Sequence, residues 1–118
     1  MAPFEAKIER KGNGRAVHVI TLAGRLDAIG LPAFQERLGA IRTGSNPRIV
    51  FDLAGLAFVG SAGIGLFLSF VEEVRDADGD VRFVNIPESI LSILSLLNVL
   101  EFLTQAETAE GAIAELSA

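Results

Sequence analysis

The chain has 118 residues, 50% hydrophobic and 21% charged, which is enough for one core and too short for two. A net charge of −5 and a pI near 4.8 exclude the clustered basic surface that nucleic-acid binding needs. The lack of cysteine excludes disulfides and a thiol nucleophile, and with one histidine, His18, any metal site or Ser–His pair would rest on that side chain alone.

Residues 4–10 alternate apolar and polar, as a half-exposed edge strand does, and Lys11-Gly12-Asn13-Gly14 turns the chain into a second strand over Val17–Leu22. His18 lies in that strand and reads as an ordinary strand histidine, facing solvent or a hydrogen-bond partner. Ala23–Gly30 leaves the strand and leads into a helix with Pro32 in its first turn and Phe34, Leu38 and Ile41 along its apolar stripe. In this loop Asp27 has an ordinary role open to it, capping nearby N–H groups. Thr43-Gly44-Ser45-Asn46-Pro47 ends the helix.

The central strand Ile49-Val50-Phe51 is apolar on both faces, as a strand in the middle of a covered sheet is. After a short loop, Gly60-Ser61-Ala62-Gly63 opens a helix whose stripe is Ile64, Phe67, Leu68 and Val71, with Ser61 as the expected N-cap. A polar turn over 75–80, a strand over Val81–Asn85 and a helix from Pro87 to about Leu97 follow. Ile90, Ile93, Leu94 and Leu97 form the expected core face of that helix, and Asn98 its left-handed terminator. Leu100–Leu103 reads as a short strand and Ala109–Leu116 as a last amphipathic helix. The order implies an α/β sheet of mixed direction, an antiparallel hairpin followed by β-α units.

Leu66, Phe70 and Leu91 fall off their helices' stripes. Two readings stand for them: packing between neighbouring helices, or a docking surface flanking Ser61. A mean hydropathy of +0.45 favours an interaction protein. No apolar run reaches the ~18–20 residues of a membrane helix, and the first residues lack the pattern of a signal peptide.

Ser61 fits no enzyme template. A nucleophile elbow needs Gly where Val59 stands. Gly55 and Gly60 have the spacing of a phosphate-binding loop but no Lys follows, and Gly60, Gly63 and Gly65 reverse the dinucleotide spacing. The chain is expected not to be an enzyme. The chemistry left is modification of Ser61 itself. Phosphorylation adds about −1.5 to −2 charges, which a helix N-terminus tolerates and an apolar interface does not.

Leu22-Ala23-Gly24-Arg25-Leu26-Asp27, Ile49-Val50-Phe51-Asp52-Leu53 and Phe58-Val59-Gly60-Ser61-Ala62-Gly63-Ile64-Gly65 together resemble the STAS domain, specifically the bacterial anti-sigma factor antagonists. The resemblance spans the whole chain and implies one domain over 1–118, a mixed sheet with about four helices packed mainly on one side. It further implies that Ser61 is phosphorylated by an anti-sigma factor that is also a serine kinase, that the unphosphorylated protein binds this partner, and that a serine phosphatase reverses the switch. Asp27, Gly60, Ala62, Gly63, Leu66 and Phe70 are the expected partner-binding residues. In the family pattern an Asp precedes the acceptor and a Ser or Thr follows it; here these are Gly60 and Ala62, so a charge beside the acceptor is gone. The expected protein is cytoplasmic, needs no cofactor or metal, does not insert in membranes and has room to form a homodimer. The alternative is a STAS accessory subunit that binds the ATPase of a membrane lipid transporter, with Ser61 serving only as a helix cap.

Overall fold

Alternation of strand and helix gives, among the described residues, a four-stranded sheet whose strands lie side by side in chain order. The structure, a computed structural model, describes residues 3–41 and 46–118; the turn expected at Thr43, Gly44 and Ser45 lies outside them. β1 (Glu5–Lys11) and β2 (Val17–Leu26) form the antiparallel hairpin. β3 (Arg48–Val59) runs parallel to β2, and β4 (Asp80–Val84) parallel to β3. α1 (Leu31–Ile41) links β2 to β3, and α2 (Ser61–Asp76) links β3 to β4. Two crossovers of one hand that step the same way across a sheet place both helices on one face. α3 (Glu88–Leu96) joins them there, while α4 (Ala109–Ser117) packs alone on the other face.

The three-helix face is filled by aromatic rings. Phe51, at the centre of β3, stacks on Phe83 at 5.0 Å and meets the edges of Phe67 at 5.5 Å and Phe70 at 5.7 Å. The smaller core on the opposite face consists of Val17, Val19, Val50 and Val84 against Ala112 and Leu116 of α4.

β3 departs most from the sequence reading. It does not end near Phe51 but runs to Val59, and β2 runs on to Leu26 beside it. Between Thr21–Ala23 and between Gly24–Arg25 the pairing slips, each time with one more residue in β3 than in β2. These bulges bring Leu53, Leu56 and Val59, three apart, onto the same buried face. Gly24, at φ +84, takes a backbone conformation at the second slip that a side chain would resist.

Three further expectations are corrected. Leu100–Phe102 is a turn of 3-10 helix and not a strand; the strand-like bridge falls at Gln105, beside Phe83. Ile93 and Leu97 are exposed, because α3 turns only Ile90 and Leu94 squarely to the core. Phe70 is buried and Leu66 half-buried, because the buried face of α2 is broader than one stripe and takes in Phe70 and Val74. Asn98 has the expected left-handed conformation, φ 57.

Candidate functional site

In a parallel α/β sheet the loops beyond the carboxyl ends of the strands carry the groups not used in packing. Here β2 and β3 end side by side at Leu26 and Val59, and the next residue, Gly60, donates its N–H to the Leu26 carbonyl at 3.0 Å. The Asp27 turn and the start of α2 are thereby joined through backbone.

Asp27 shapes the turn that follows β2. Its Oδ1 accepts from the N–H of Ile29 at 3.1 Å and of Gly30 at 3.4 Å, while its carbonyl accepts from Leu31 at 3.2 Å to start α1. The turn leaves Ile29 90% exposed. The sequence reading missed this residue, although a β-branched apolar side chain in a four-residue turn was the available signal.

Ser61 is not the N-cap. Gly60 takes that place, extended at φ −81 and ψ 171, and its carbonyl accepts the first bond of the helix from Ile64 at 3.0 Å. Ser61 is already the first helical residue, and no side-chain oxygen caps the helix. Its hydroxyl is exposed and stands beside the opening N–H groups, which have no acceptor within the helix. Ala62 is exposed with it and Gly60 is half-exposed.

Gly63 has a different role from the one expected. It is buried, and a Cβ there would meet Val59 Cγ2 at 2.8 Å and Leu26 Cδ2 at 3.1 Å. Its bare backbone lets α2 start directly against the ends of β2 and β3, which leaves no surface for a partner. Phe70 lies in the core and is likewise no docking contact; Leu66 sits beside Leu38 and Gly39 of α1. Ser61, Asp27, Gly60 and Ala62 therefore share one end of the sheet, with Ile29 the large apolar residue among them. Nearby, the Arg25 guanidinium stacks on Phe58, 4.1 Å from the ring centre.

The one histidine stands far from Ser61. His18 precedes Leu26 by eight strand residues, about 26 Å at the usual rise. It is half-buried beside its cross-strand neighbour Arg10, and burial first, then the Arg10 charge, lowers its pKa from 6.5. Among the described residues no group of three or more His, Cys, Asp or Glu is arranged to hold a metal ion, and no helix is long and apolar enough to cross a membrane.

Comparison with known proteins agrees with this architecture. A family model described as the STAS domain matches residues 7–112. The anti-sigma-B factor antagonist of Bacillus subtilis (strain 168) is 21% identical over 95 residues, covering 80% of this chain and 85% of the relative. An anti-sigma factor antagonist from Mycobacterium paratuberculosis superposes with a TM-score of 0.81 at 22% identity, covering 98% of this chain and 96% of that one. The Bacillus cell fate determinant SpoIIAA in its phosphorylated form gives 0.66 at 21% identity, over 91% and 96%.

Proposed function

Because the chain belongs to the STAS domain family, we propose that it is an anti-sigma factor antagonist-like binding protein, with Ser61 as its phosphoswitch. Unphosphorylated, it binds an anti-sigma factor that is also a serine kinase and so frees a sigma factor. Phosphorylation of Ser61 breaks that complex, and a serine phosphatase restores it. The protein acts as one domain in the cytoplasm, without catalysis of its own.

The observation that carries this reading is the exposed Ser61 hydroxyl at the first position of α2, level with the Asp27 turn. A phosphate there meets the free N–H groups and positive end of the helix, so the fold accepts it. A partner seated over Ile29 and Ala62 would have to bury the same dianion among apolar atoms, which is costly. Support also comes from SpoIIAA, a structural neighbour with a phosphorylated form. Gly60 and Ala62 leave open space on either side of the acceptor. The partner contacts on this reading are Asp27, Gly60, Ala62 and Ile29. The transporter-accessory reading used Ser61 as a cap, a position that Gly60 occupies.

The test is a pull-down from the host lysate with wild type, Ser61→Asp and Ile29→Ser, each checked for folding, with mass spectrometry of bound proteins and of Ser61. The expected result is an ATP-binding kinase retained by wild type and lost by Ser61→Asp, whose binding falls by about 2–5 kcal/mol. Ile29→Ser weakens the same complex. Equal retention of the kinase by wild type and Ser61→Asp overturns the switch. A transporter ATPase bound equally by both would replace this reading with the accessory subunit.

A further inference from the structure

The helical layer has a second end, remote from Ser61. α2 leads from Ser61 back towards the start of β4, and Arg75 lies fourteen residues along it, about 21 Å away. α3 runs back from β4, so its last turn reaches this same end. The side chain of Arg75 donates to Thr104 Oγ1 at 2.9 Å, which ties the segment after α3 to the last turns of α2.

Between these elements lies a groove of 420 Å³, lined by Leu68, Val71, Glu72, Arg75 and Asp76 of α2 and by Phe102. Phe102, in that lining, is 52% exposed; Leu96 and Leu97, at the end of α3 and outside the lining, are 82% and 53% exposed. An apolar groove with an open aromatic side chain and a polar rim has the make-up of a contact surface.

Charge decides what fits. Residues 1–59 hold eight Lys and Arg against five Asp and Glu, whereas residues 60–118 hold two against ten. The segment 86–106, which contains α3 and Phe102, has no Lys or Arg, and the basic group at the groove, Arg75, is bonded to Thr104. The apolar floor of Leu68, Val71 and Phe102 thus carries two carboxylates, Glu72 and Asp76, against the one guanidinium of Arg75. Face-to-face pairing of two copies would bring the Glu72 and Asp76 carboxylates of both together, which disfavours a symmetric dimer through this surface.

We propose that this groove is a second docking surface, which receives a cationic amphipathic helix of a partner protein. An aliphatic anchor of that helix enters between Leu68 and Phe102, and its Lys or Arg residues meet Glu72 and Asp76. The surface lies apart from Ser61, so it is available whether or not Ser61 carries a phosphate.

The test uses the full chain, labelled for amide NMR, and a synthetic Leu/Lys amphipathic peptide as probe. The expected result is saturable shifts at Leu68, Val71, Glu72, Asp76 and Phe102 that weaken as salt rises. Phe102→Ser, at a half-exposed position, and Asp76→Lys each reduce affinity by at least about tenfold while the remaining spectrum is kept. Ser61→Asp leaves the affinity unchanged. Shifts spread over the acidic surface and unaltered in Phe102→Ser overturn the proposal, as does equal binding of a Leu/Glu peptide. Concentration-dependent shifts at Phe102 without peptide overturn it in favour of a second copy of this chain.

Discussion

On one face of the sheet, three helices close over Phe34, Phe51, Phe67, Phe70 and Phe83; on the other, the nine-residue α4 covers four valines. Each buried ring removes a large apolar area from water and adds edge or stacking contacts, so the first face dominates stability. A helix as short as α4 does not hold its shape alone in water. It is kept by Ala112 and Leu116 and by polar ties: Arg82 donates to Glu115 Oε1 from Nε at 3.0 Å, and Arg15 N–H donates to the Ser117 carbonyl at 2.9 Å. Burial of Arg82 works against its charge, but hydrogen bonds with Asp80 and Glu115 outweigh this and raise its pKa. The contrast teaches that a sheet can be anchored on one side and carry a separable element on the other.

Phe51→Ala tests the stronger face first. Loss of a ring that touches Phe67, Phe70 and Phe83 should cost about 3–5 kcal/mol in urea unfolding. A cost near 1 kcal/mol would remove the asymmetry. Leu116→Ala should cost about 2–3 kcal/mol, and hydrogen exchange should then speed up in α4 while α2 stays protected. Equal loss of protection in both helices would show one cooperative unit. The N-cap of α4, where Thr108 Oγ1 accepts from Gly111 N–H at 3.0 Å, sharpens the comparison further. Thr108→Ala should cost about 1 kcal/mol and act on α4 exchange alone.

The smallest expected effect concerns His18, which alternation places on the three-helix side with Ile20 and Leu22. Because its pKa is lowered in the folded protein, the unfolded chain takes up the proton first as pH falls through 6.5. Stability is therefore whole above that pH and declines below it, until the folded His18 is protonated too. His18→Gln should flatten this slope; an unchanged slope would assign it to other groups.

Much of this architecture was legible in the sequence because the apolar spacing matched a period. The hairpin, α2, β4 and α3 all follow such patterns. β3 beyond Phe51 was not legible, since Leu53, Leu56 and Val59 recur every three residues, which suits neither a regular strand nor a helix until two bulges are known. At the site, the motif around Ser61 was found but its cap was misplaced by one residue. Gly60 and Ser61 both suit an N-cap, and only the backbone at φ −81 and ψ 171 separates them. Phe70 was misjudged because wheel geometry gives directions from one helix, whereas the width of the buried face depends on β3 and the neighbouring helices packed against it.

The two surplus residues of β3 also act as a phase setter for everything downstream. With both present, the strand reaches Leu26 in step, and Gly60 arrives where its N–H meets the Leu26 carbonyl. Deletion of one would invert the inward and outward alternation over the rest of the strand. Val59 would then turn outward and α2 would begin rotated away from the Asp27 turn. A length change of one residue, four to eight positions before the helix it controls, would thus reorient Ser61 while its own sequence stayed intact.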